Sequence, residues 1–588
     1  MVRTPPPTSG IVLHAVTKGY DREQDKLRPP GETVAWVKER FAVLGEEVHK
    51  KTVRVDTGRL GIPVYLSLCG PAASALTGTA KQMGKGASPV QAEASALMEL
   101  AERYSFFHFM RHTNFPLLTA AQVPPEALDF AQAAKAVHHP PADLARAREV
   151  YELLPQRWAW ARNLTTLREE YLPLSWFFAI NEYNGPAAGN CQEEAVLQSL
   201  CEVVERHVSA VVTNRSLATP AIDPASICDP VAQELLAKFA QAGVEVHLRD
   251  YTCGMGIPSV GALCYDPATF PAESEIVYTA GTATSPAKAL IRALTEVAQL
   301  AGDFAHRTSY KVSALPKFAN LAEAAYVLNP DGVVDLASLP DLADPDFNQE
   351  IAACVAALEA RDFTVYCLDV THPALGVPAV YTIIPGAHFA QRTTGTDVFF
   401  HAAKLASQLP DPCLAREVLD SMGRVTGAGY QLFFFRALAL VEEGRPAEAL
   451  ELLDQAQAMN PPPADLASIL VHKGVALKDL GRPAEAKEVL LAAAAMPEPH
   501  HEVFNLLGYC HYLLKEHQEA IEAFARAVEI EPGAAINYAN IGSNLRELGR
   551  WAEAASMYEH ALELDPGLDW ARTNLAKMRA KLAAEPGS

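Results

Sequence analysis

Ser95-Ala-Leu-Met-Glu99-Leu-Ala-Glu102-Arg103 sets three polar side chains at i, i+4 and i+7 in an otherwise apolar run. That spacing predicts one stripe on one face of a helix. The pattern returns twice. Glu194, Gln198, Glu202 and Glu205, the last followed by Arg206, recur at helical spacing, and Arg292, Glu296 and Gln299 repeat the first offsets with Lys288 one turn earlier. Leu97, Met98, Leu200, Val203, Leu294 and Val297 surround the stripes, so the three helices are predicted to be largely buried. An isolated ionised carboxylate inside a protein costs several kcal/mol unless it is paired or metal-bound. Five carboxylates in one helical phase (Glu99, Glu102, Glu202, Glu205, Glu296) therefore demand positive charge. Arg103, Arg206 and Arg292 are one source; Mg²⁺ is the other, since it takes hard oxygen ligands and usually accompanies substrate phosphates.

The loops before the three helices are rich in small residues: Gly84-Lys85-Gly86-Ala87-Ser88-Pro89, Asn184-Gly185-Pro186-Ala187-Ala188-Gly189-Asn190 and Ala280-Gly281-Thr282-Ala283-Thr284-Ser285-Pro286. They suggest backbone N–H groups brought close to an anion at a helix N-terminus. A Walker A loop is excluded, because Gly86 follows Lys85 where Ser or Thr is required and Gly78 is one residue too far back. A second phrase also recurs: Asp56 to Gly61-Ile62-Pro63, Asp250 to Gly256-Ile257-Pro258, and Asp369 to Gly376-Val377-Pro378. Pro ahead of an apolar run predicts a reused turn that enters a strand.

The last third of the chain repeats differently. Ala486, Ala520 and Ala554 close the phrases Ala-Glu-Ala, Gln-Glu-Ala and Ala-Glu-Ala at a period of 34; Gly474, Gly508 and Gly542 keep the same step, and Pro532 and Pro566 end successive units. An earlier unit around Gly444 to Ala449 stands 37 residues ahead of its neighbour, Pro461-Pro462-Pro463 accounting for the extra length. This resembles the tetratricopeptide repeat over roughly 426–580, in about four units. The resemblance implies an all-α solenoid whose concave face holds a peptide or partner protein; a self-docking or dimerising module is the other reading.

The whole chain of 588 residues is 49% hydrophobic and carries a formal charge of −21. It is predicted to be a soluble globular protein of more than one domain, and sequence-independent binding to nucleic acid or anionic lipid is not expected. Ten cysteines without a C-x-x-C pair argue against zinc ribbons and disulfide frameworks. No run of about 18 apolar residues occurs and the N-terminus lacks a signal-peptide pattern, so the expected compartment is the cytoplasm.

Three motifs in order, Ser95-x3-Glu99-x2-Glu102, then Ala188-Gly189-Asn190 with Glu194 and Glu202-x2-Glu205-Arg206, then Arg292-x3-Glu296-x2-Gln299, resemble the YcaO family of ATP-dependent peptide-backbone-modifying enzymes over about 15–395. The resemblance implies an α+β domain binding ATP and Mg²⁺, here followed by the repeat solenoid. The expected boundaries are 1–398, a helical connector at 399–425, and 426–588. It assigns Glu99, Glu102, Glu202, Glu205 and Glu296 to metal, and Lys26, Thr33, Ser95, Asn190, Glu194, Gln198, Arg206 and Arg292 to nucleotide, with Arg206 and Arg292 also stabilising charge that develops during phosphoryl transfer. Lys26 and Thr33 rest on their spacing. The implied reaction is activation of a peptide amide by the γ-phosphoryl of ATP, giving thioamidation, cyclodehydration or a related change. Azoline-forming members commonly end in Pro-x-Pro-x-Pro, whereas this chain ends Ala-Ala-Glu-Pro-Gly-Ser, which puts azoline formation in question. Substrate delivery then falls to a separate protein or to the repeats. A homodimer is suggested by the family and by Phe433-Phe434-Phe435, which a helix core explains equally well.

The alternative function is a non-catalytic, nucleotide-binding tetratricopeptide adaptor. Weaker features are read as structural: His108 and His112 at i, i+4 without a third ligand phrase, the pairs His138-His139 and His500-His501 in Pro-flanked segments, and Cys191 and Cys201 bracketing the second acidic helix.

Overall fold

The computed structural model describes residues 9–56, 59–137, 139, 143–300, 318–389, 396–427, 429–497, 499–531, 533–565 and 567–584. Of the residues named above, His138, Pro532, Pro566 and the last four lie outside that set, as do Thr57 and Gly58 within the first Asp-to-Pro phrase. The chain divides into two compact units, with the break between His401 and Ala402.

Four helices of the first unit matter for the site: α1 (Pro30–Leu44), α2 (Pro89–His112), α3 (Gln192–Asn214) and α4 (Pro286–Leu300). The three acidic stripes lie on α2, α3 and α4. Three sheets carry these helices. The first runs His49–Arg54, Val64–Cys69, Lys81–Lys85. The second runs Val277–Thr282, Ser259–Tyr265, Glu245–Asp250 and ends in the short strands Ala221–Ile222 and Val333–Val334. The third runs Leu117–Leu118, Gln156–Asn163, Tyr366–Asp369, Ala379–Ile383, Pro186–Ala188, with Arg168–Pro173 paired to Gln156–Asn163.

Beneath these sheets is one module used three times. In each, a strand leads through the Asp-to-Pro phrase into a central strand, which is antiparallel to both its neighbours. Gly61, Gly256 and Gly376 hold φ of +58°, +77° and +62° just before the Ile/Val-Pro pair, a left-handed geometry that suits glycine. Asp250 and Asp369 each accept a hydrogen bond from the backbone N–H two residues on, while Asp56 accepts from Val64 N–H at the start of its central strand. The recurring phrase is therefore a turn, as its residues suggest.

The third strand of each module runs into its acidic helix through one closely packed glycine. A Cβ on Gly84 would lie 2.0 Å from Ala96 N of α2; on Gly189, 2.4 Å from Ala195 N of α3; on Gly281, 2.4 Å from Ala293 N of α4. The small residues thus let strand and helix backbones touch, which differs from the anion-cradle expectation. The contact also fixes a common register. Ser95, Glu194 and Arg292 each precede the packed alanine, and Glu99, Gln198 and Glu296 follow one turn later. In the third module the glycine strand and helix come earlier in the chain than the other two strands, so the copy is circularly permuted.

Each acidic helix also packs beyond its own module. α2 lies against Pro186–Ala188 and Ala379–Ile383, α3 against Val277–Thr282, and α4 against Lys81–Lys85. The stripes consequently converge.

The second unit begins with the latter part of the helix Val398–Ser407 and Pro412–Thr426. Helix pairs follow at Tyr430–Glu442/Pro446–Ala458, Pro463–Asp479/Pro483–Ala494, His501–Leu513/His517–Ile530 and Ala535–Glu547/Trp551–Leu564, then Asp569–Ala584. Ala486, Ala520 and Ala554 are fully buried. A Cβ on Gly474, Gly508 or Gly542 would meet the side chain of Leu490, Phe524 or Tyr558 from the second helix of the same pair. Phe435 is buried, and Phe433 and Phe434 pack against the cluster around Leu453 and Ile469 within this unit.

Candidate active site

All thirteen residues assigned to metal or nucleotide line one cleft in the first unit. Lys26 and Thr33 reach the cleft through a chain of polar contacts. Lys26 Nζ lies 3.3 Å from Glu194 Oε1 and Leu27 N–H donates to Glu194 Oε2 at 2.9 Å. Asn190 Nδ2 donates to both Glu194 oxygens at 3.1 Å, and Thr33 Oγ1 donates to Asn190 Oδ1 at 3.0 Å. Residues 18–28 are tied across the helices by this chain, by Lys18 at 2.6 Å from Glu350 Oε1 and by Lys288 Nζ donating to the Arg22 carbonyl.

The opposite wall carries the remaining charge. Arg103 Nε donates to Glu99 at 3.1 Å and lies 3.3 Å from Glu102 Oε1. Arg206, half exposed, lies 3.8 Å from Glu202. Arg292 donates to Gln198 Oε1 at 3.1 Å and to Glu205 Oε2 at 3.3 Å, while Thr282 N–H donates to the same Glu205 oxygen at 2.9 Å. Lys85 is ion-paired with Glu296. Each carboxylate leans on a basic side chain, and among the described residues no three His, Cys, Asp or Glu side chains are gathered closely enough to hold an ion as they stand.

The balance is nevertheless incomplete. Burial, then Glu99, pushes the Glu102 carboxyl well above its usual range against the pull of Arg103. Burial also raises Glu202, opposed by Arg206 and Arg103 and reinforced by Glu99 and Glu205. Burial and Arg292 bring the Lys85 ammonium down to about 7. Glu102 Oε1 and Arg292 Nε are buried without a hydrogen-bond partner. A cleft with a buried carboxylate oxygen that accepts no hydrogen bond and a buried guanidinium N–H that donates none fits a hard divalent cation beside a phosphate.

Arg103, read from the sequence as a counter-charge, also lines the cleft, as do Lys85, Gln24 and Gln91, which carry no role in the sequence reading. Lys85 was visible only as the residue between two glycines. Its equivalents after the other packed glycines, Asn190 and Thr282, also contact acidic residues of α3, namely Glu194 and Glu205.

Elsewhere, His112 and His108 stack at 4.5 Å, and His372 from the third turn approaches His108 to 4.2 Å. His372 Nδ1 accepts from Leu375 N–H, and burial with His108 nearby lowers its pKa to about 4. Cys201 is buried and Cys191 partly so. Burial raises the Cys191 thiol to about 12, against a nucleophilic role. No helix among the described residues is long and apolar enough to cross a membrane.

A family model described as YcaO cyclodehydratase, ATP- and Mg²⁺-binding, matches residues 83–388; tetratricopeptide-repeat models match 472–535 and 538–569. An uncharacterized protein of Methanothermobacter thermautotrophicus is 30% identical over 386 residues, 61% of this chain and 93% of that protein. The ribosomal protein S12 methylthiotransferase accessory factor YcaO of Escherichia coli is 25% identical over 341 residues, 52% of this chain and 56% of that one. The structure of a heterocyclase in complex with substrate and cofactor superposes with a TM-score of 0.54 at 23% identity, covering 64% of this chain and 54% of the other. That likeness is one of fold. The chain spans little more than half the length of the last two proteins.

Proposed function

The chain belongs to the YcaO family, with tetratricopeptide repeats following the YcaO domain, and from that premise we propose that it activates a backbone amide of a peptide or protein at the expense of ATP. The observation that carries this reading is the convergence of six cleft carboxylates from three helices of equivalent modules, with Glu102 Oε1 and Arg292 Nε buried without a hydrogen bond. Glu99, Glu102, Glu202, Glu205 and Glu296 would hold Mg²⁺. Lys26, Thr33, Ser95, Asn190, Glu194, Gln198, Arg206 and Arg292 would hold the nucleotide. Bound Mg²⁺-ATP supplies a transferable γ-phosphoryl group, which converts an amide oxygen into a leaving group.

The chain's own residues perform three tasks around that chemistry. The Lys26–Glu194–Asn190–Thr33 chain of contacts fixes one wall before ligand arrives, so little ordering is required on binding. Gln198 and Glu205 hold the Arg292 guanidinium, while its Nε remains free to donate toward negative charge. Arg206 is half exposed on the same helix as Glu202, and supplies a second positive charge near the carboxylates. Thioamidation and cyclodehydration then differ in the nucleophile alone, an external sulfur donor or a neighbouring side chain of the substrate. The repeats offer a surface for a peptide or partner protein.

Thermal unfolding with Mg²⁺ alone, with Mg²⁺-ATP, and with Mg²⁺-ATP for Glu202→Gln tests this. A ligand at about 100 times its Kd stabilises by roughly 2.7 kcal/mol. The shift is expected in the wild type and not in the variant, and phosphate release should require a peptide substrate. A shift without release under any peptide would favour the nucleotide-binding adaptor. No shift in folded wild type would overturn the site.

A further inference from the structure

The cleft matches each of its six carboxylates to a basic side chain: Arg103 and Arg206 meet Glu99, Glu102 and Glu202 on their own helices, Lys26 meets Glu194 from the residue 18–28 segment, and Arg292 of α4 meets Glu205 of α3. Glu296 is paired with a strand residue. Its ion pair among the described residues is with Lys85, which comes from a different module and a strand end. The Lys85 backbone is held on both sides. A Cβ on Gly84 would strike the α2 backbone at 2.0 Å and one on Gly86 would meet Ala92 N at 2.7 Å. Only the side chain can swing. Around it stand Arg292 and Arg206, whose positive charges oppose the ammonium, and Glu205 and Glu99, which draw it; its direct ion pair is with Glu296.

We propose that Lys85 is a positioning residue that occupies Glu296 in place of a divalent cation, releases it when the cation enters, and then turns to oxygens of the nucleotide phosphates. The exchange adds positive charge to the cleft: Glu296 trades an ammonium for a divalent cation, and the freed ammonium joins two arginines in a pocket that then favours the negatively charged phosphates. The equivalent positions in the other modules, Asn190 and Thr282, contact their acidic partners through neutral groups and have no such exchange. The inference rests on the Mg²⁺-nucleotide reading of the cleft.

The two halves of the exchange predict opposite effects in one variant. Lys85→Met should bind Mg²⁺ alone more tightly, because competition for Glu296 is gone, and bind a non-hydrolysable ATP analogue without metal more weakly. Loss of one charge-assisted hydrogen bond corresponds to about tenfold or more. Glu296→Gln should do the reverse, weakening Mg²⁺ and strengthening metal-free analogue, since Lys85 is then free. Titration calorimetry on the full-length chain reads all four affinities without turnover. Changes of the same sign in both affinities of Lys85→Met, or wild-type affinities in a folded Lys85→Met, would show a merely structural ion pair and overturn the inference while leaving the cation site standing. Folded wild type that binds neither Mg²⁺ nor the analogue would overturn both. Should Lys85→Met fail to fold, the Glu296→Gln titration decides: unchanged or weaker metal-free analogue binding sinks the exchange.

Discussion

Both units are built by repetition, but they repeat different things. The repeats of the second unit recur in residue type: Gly474, Gly508 and Gly542 each face a large side chain, and Ala486, Ala520 and Ala554 are each buried. The modules of the first unit recur in geometry, while the residues that face the cleft diverge: Ser95, Glu194 and Arg292 at one level, Glu99, Gln198 and Glu296 at the next. Packing positions are held alike because each must fill the same space. Cleft positions are released from that demand, and three equivalent helices can then contribute a neutral, an acidic and a basic group to one asymmetric site.

The strongest way to break this comparison is at the glycines. A Cβ on Gly84 would sit 2.0 Å from Ala96 N and 2.5 Å from Ala92 O, and neither helix backbone atom can yield. A Cβ on Gly542 finds its nearest atoms at 3.2 Å, two of them on the Tyr558 ring. Gly84→Ala is expected to destabilise by about 3 kcal/mol or more, and Gly542→Ala by about 1 kcal/mol. Denaturant unfolding followed by circular dichroism checks both. Similar costs at the two sites would mean that strand and helix in the first unit are less rigidly joined than the three-module account requires.

The acidic stripes were legible because carboxylates at helical spacing among apolar residues have few physical outcomes. The cleft that joins them follows from the same logic, and it also takes in Lys26 and Thr33, for which only spacing spoke. The glycine loops were ambiguous, since a small residue before a helix suits either an anion or a close backbone approach. Only the distance from a hypothetical Cβ to Ala96, Ala195 and Ala293 separates the two. The module symmetry was illegible for two reasons. Its third copy is permuted, with Pro186–Ala188 far ahead of Tyr366–Asp369, and its equivalent cleft positions mostly differ, Ser95 against Glu194 and Arg292 at one level and Gln198 against Glu99 and Glu296 at the next. Lys85 escaped notice because its partner lies on a helix of another module, beyond any local pattern.

A cleft position should behave oppositely to a packing position when it is neutralised. Glu102 is buried beside Glu99, and its carboxyl is raised well above the usual range. Between the unfolded value and that raised value, the folded state binds the extra proton, so stability falls as pH rises through the window. Glu102→Gln is expected to flatten that dependence and, near neutral pH without Mg²⁺, to stabilise the protein by about 1 kcal/mol, while removing the stabilisation that Mg²⁺-ATP gives the wild type. Melting temperature against pH, with and without Mg²⁺-ATP, checks the sign. A destabilised Glu102→Gln would mean that Arg103 already balances the charge and that this position serves packing.

The finest test uses the one repeat that departs from its own pattern. Gly481 and Gly549 turn the chain between paired helices at φ +71° and +75°, and Lys515, at the same step of 34, adopts φ +62°. A residue with a Cβ in that region is strained by roughly 1–2 kcal/mol, and glycine removes the strain while adding backbone entropy to the unfolded chain. Lys515→Gly is therefore expected to stabilise the repeat unit by about 0.5 kcal/mol, read as a small rise in denaturation midpoint with unchanged slope. Because Lys515 and Gly481 share one geometry, Gly481→Lys should cost a comparable amount. If Lys515→Gly destabilised the protein, the repeats would no longer be a case in which equivalent positions want the same residue, and the contrast with the cleft would narrow to its charges.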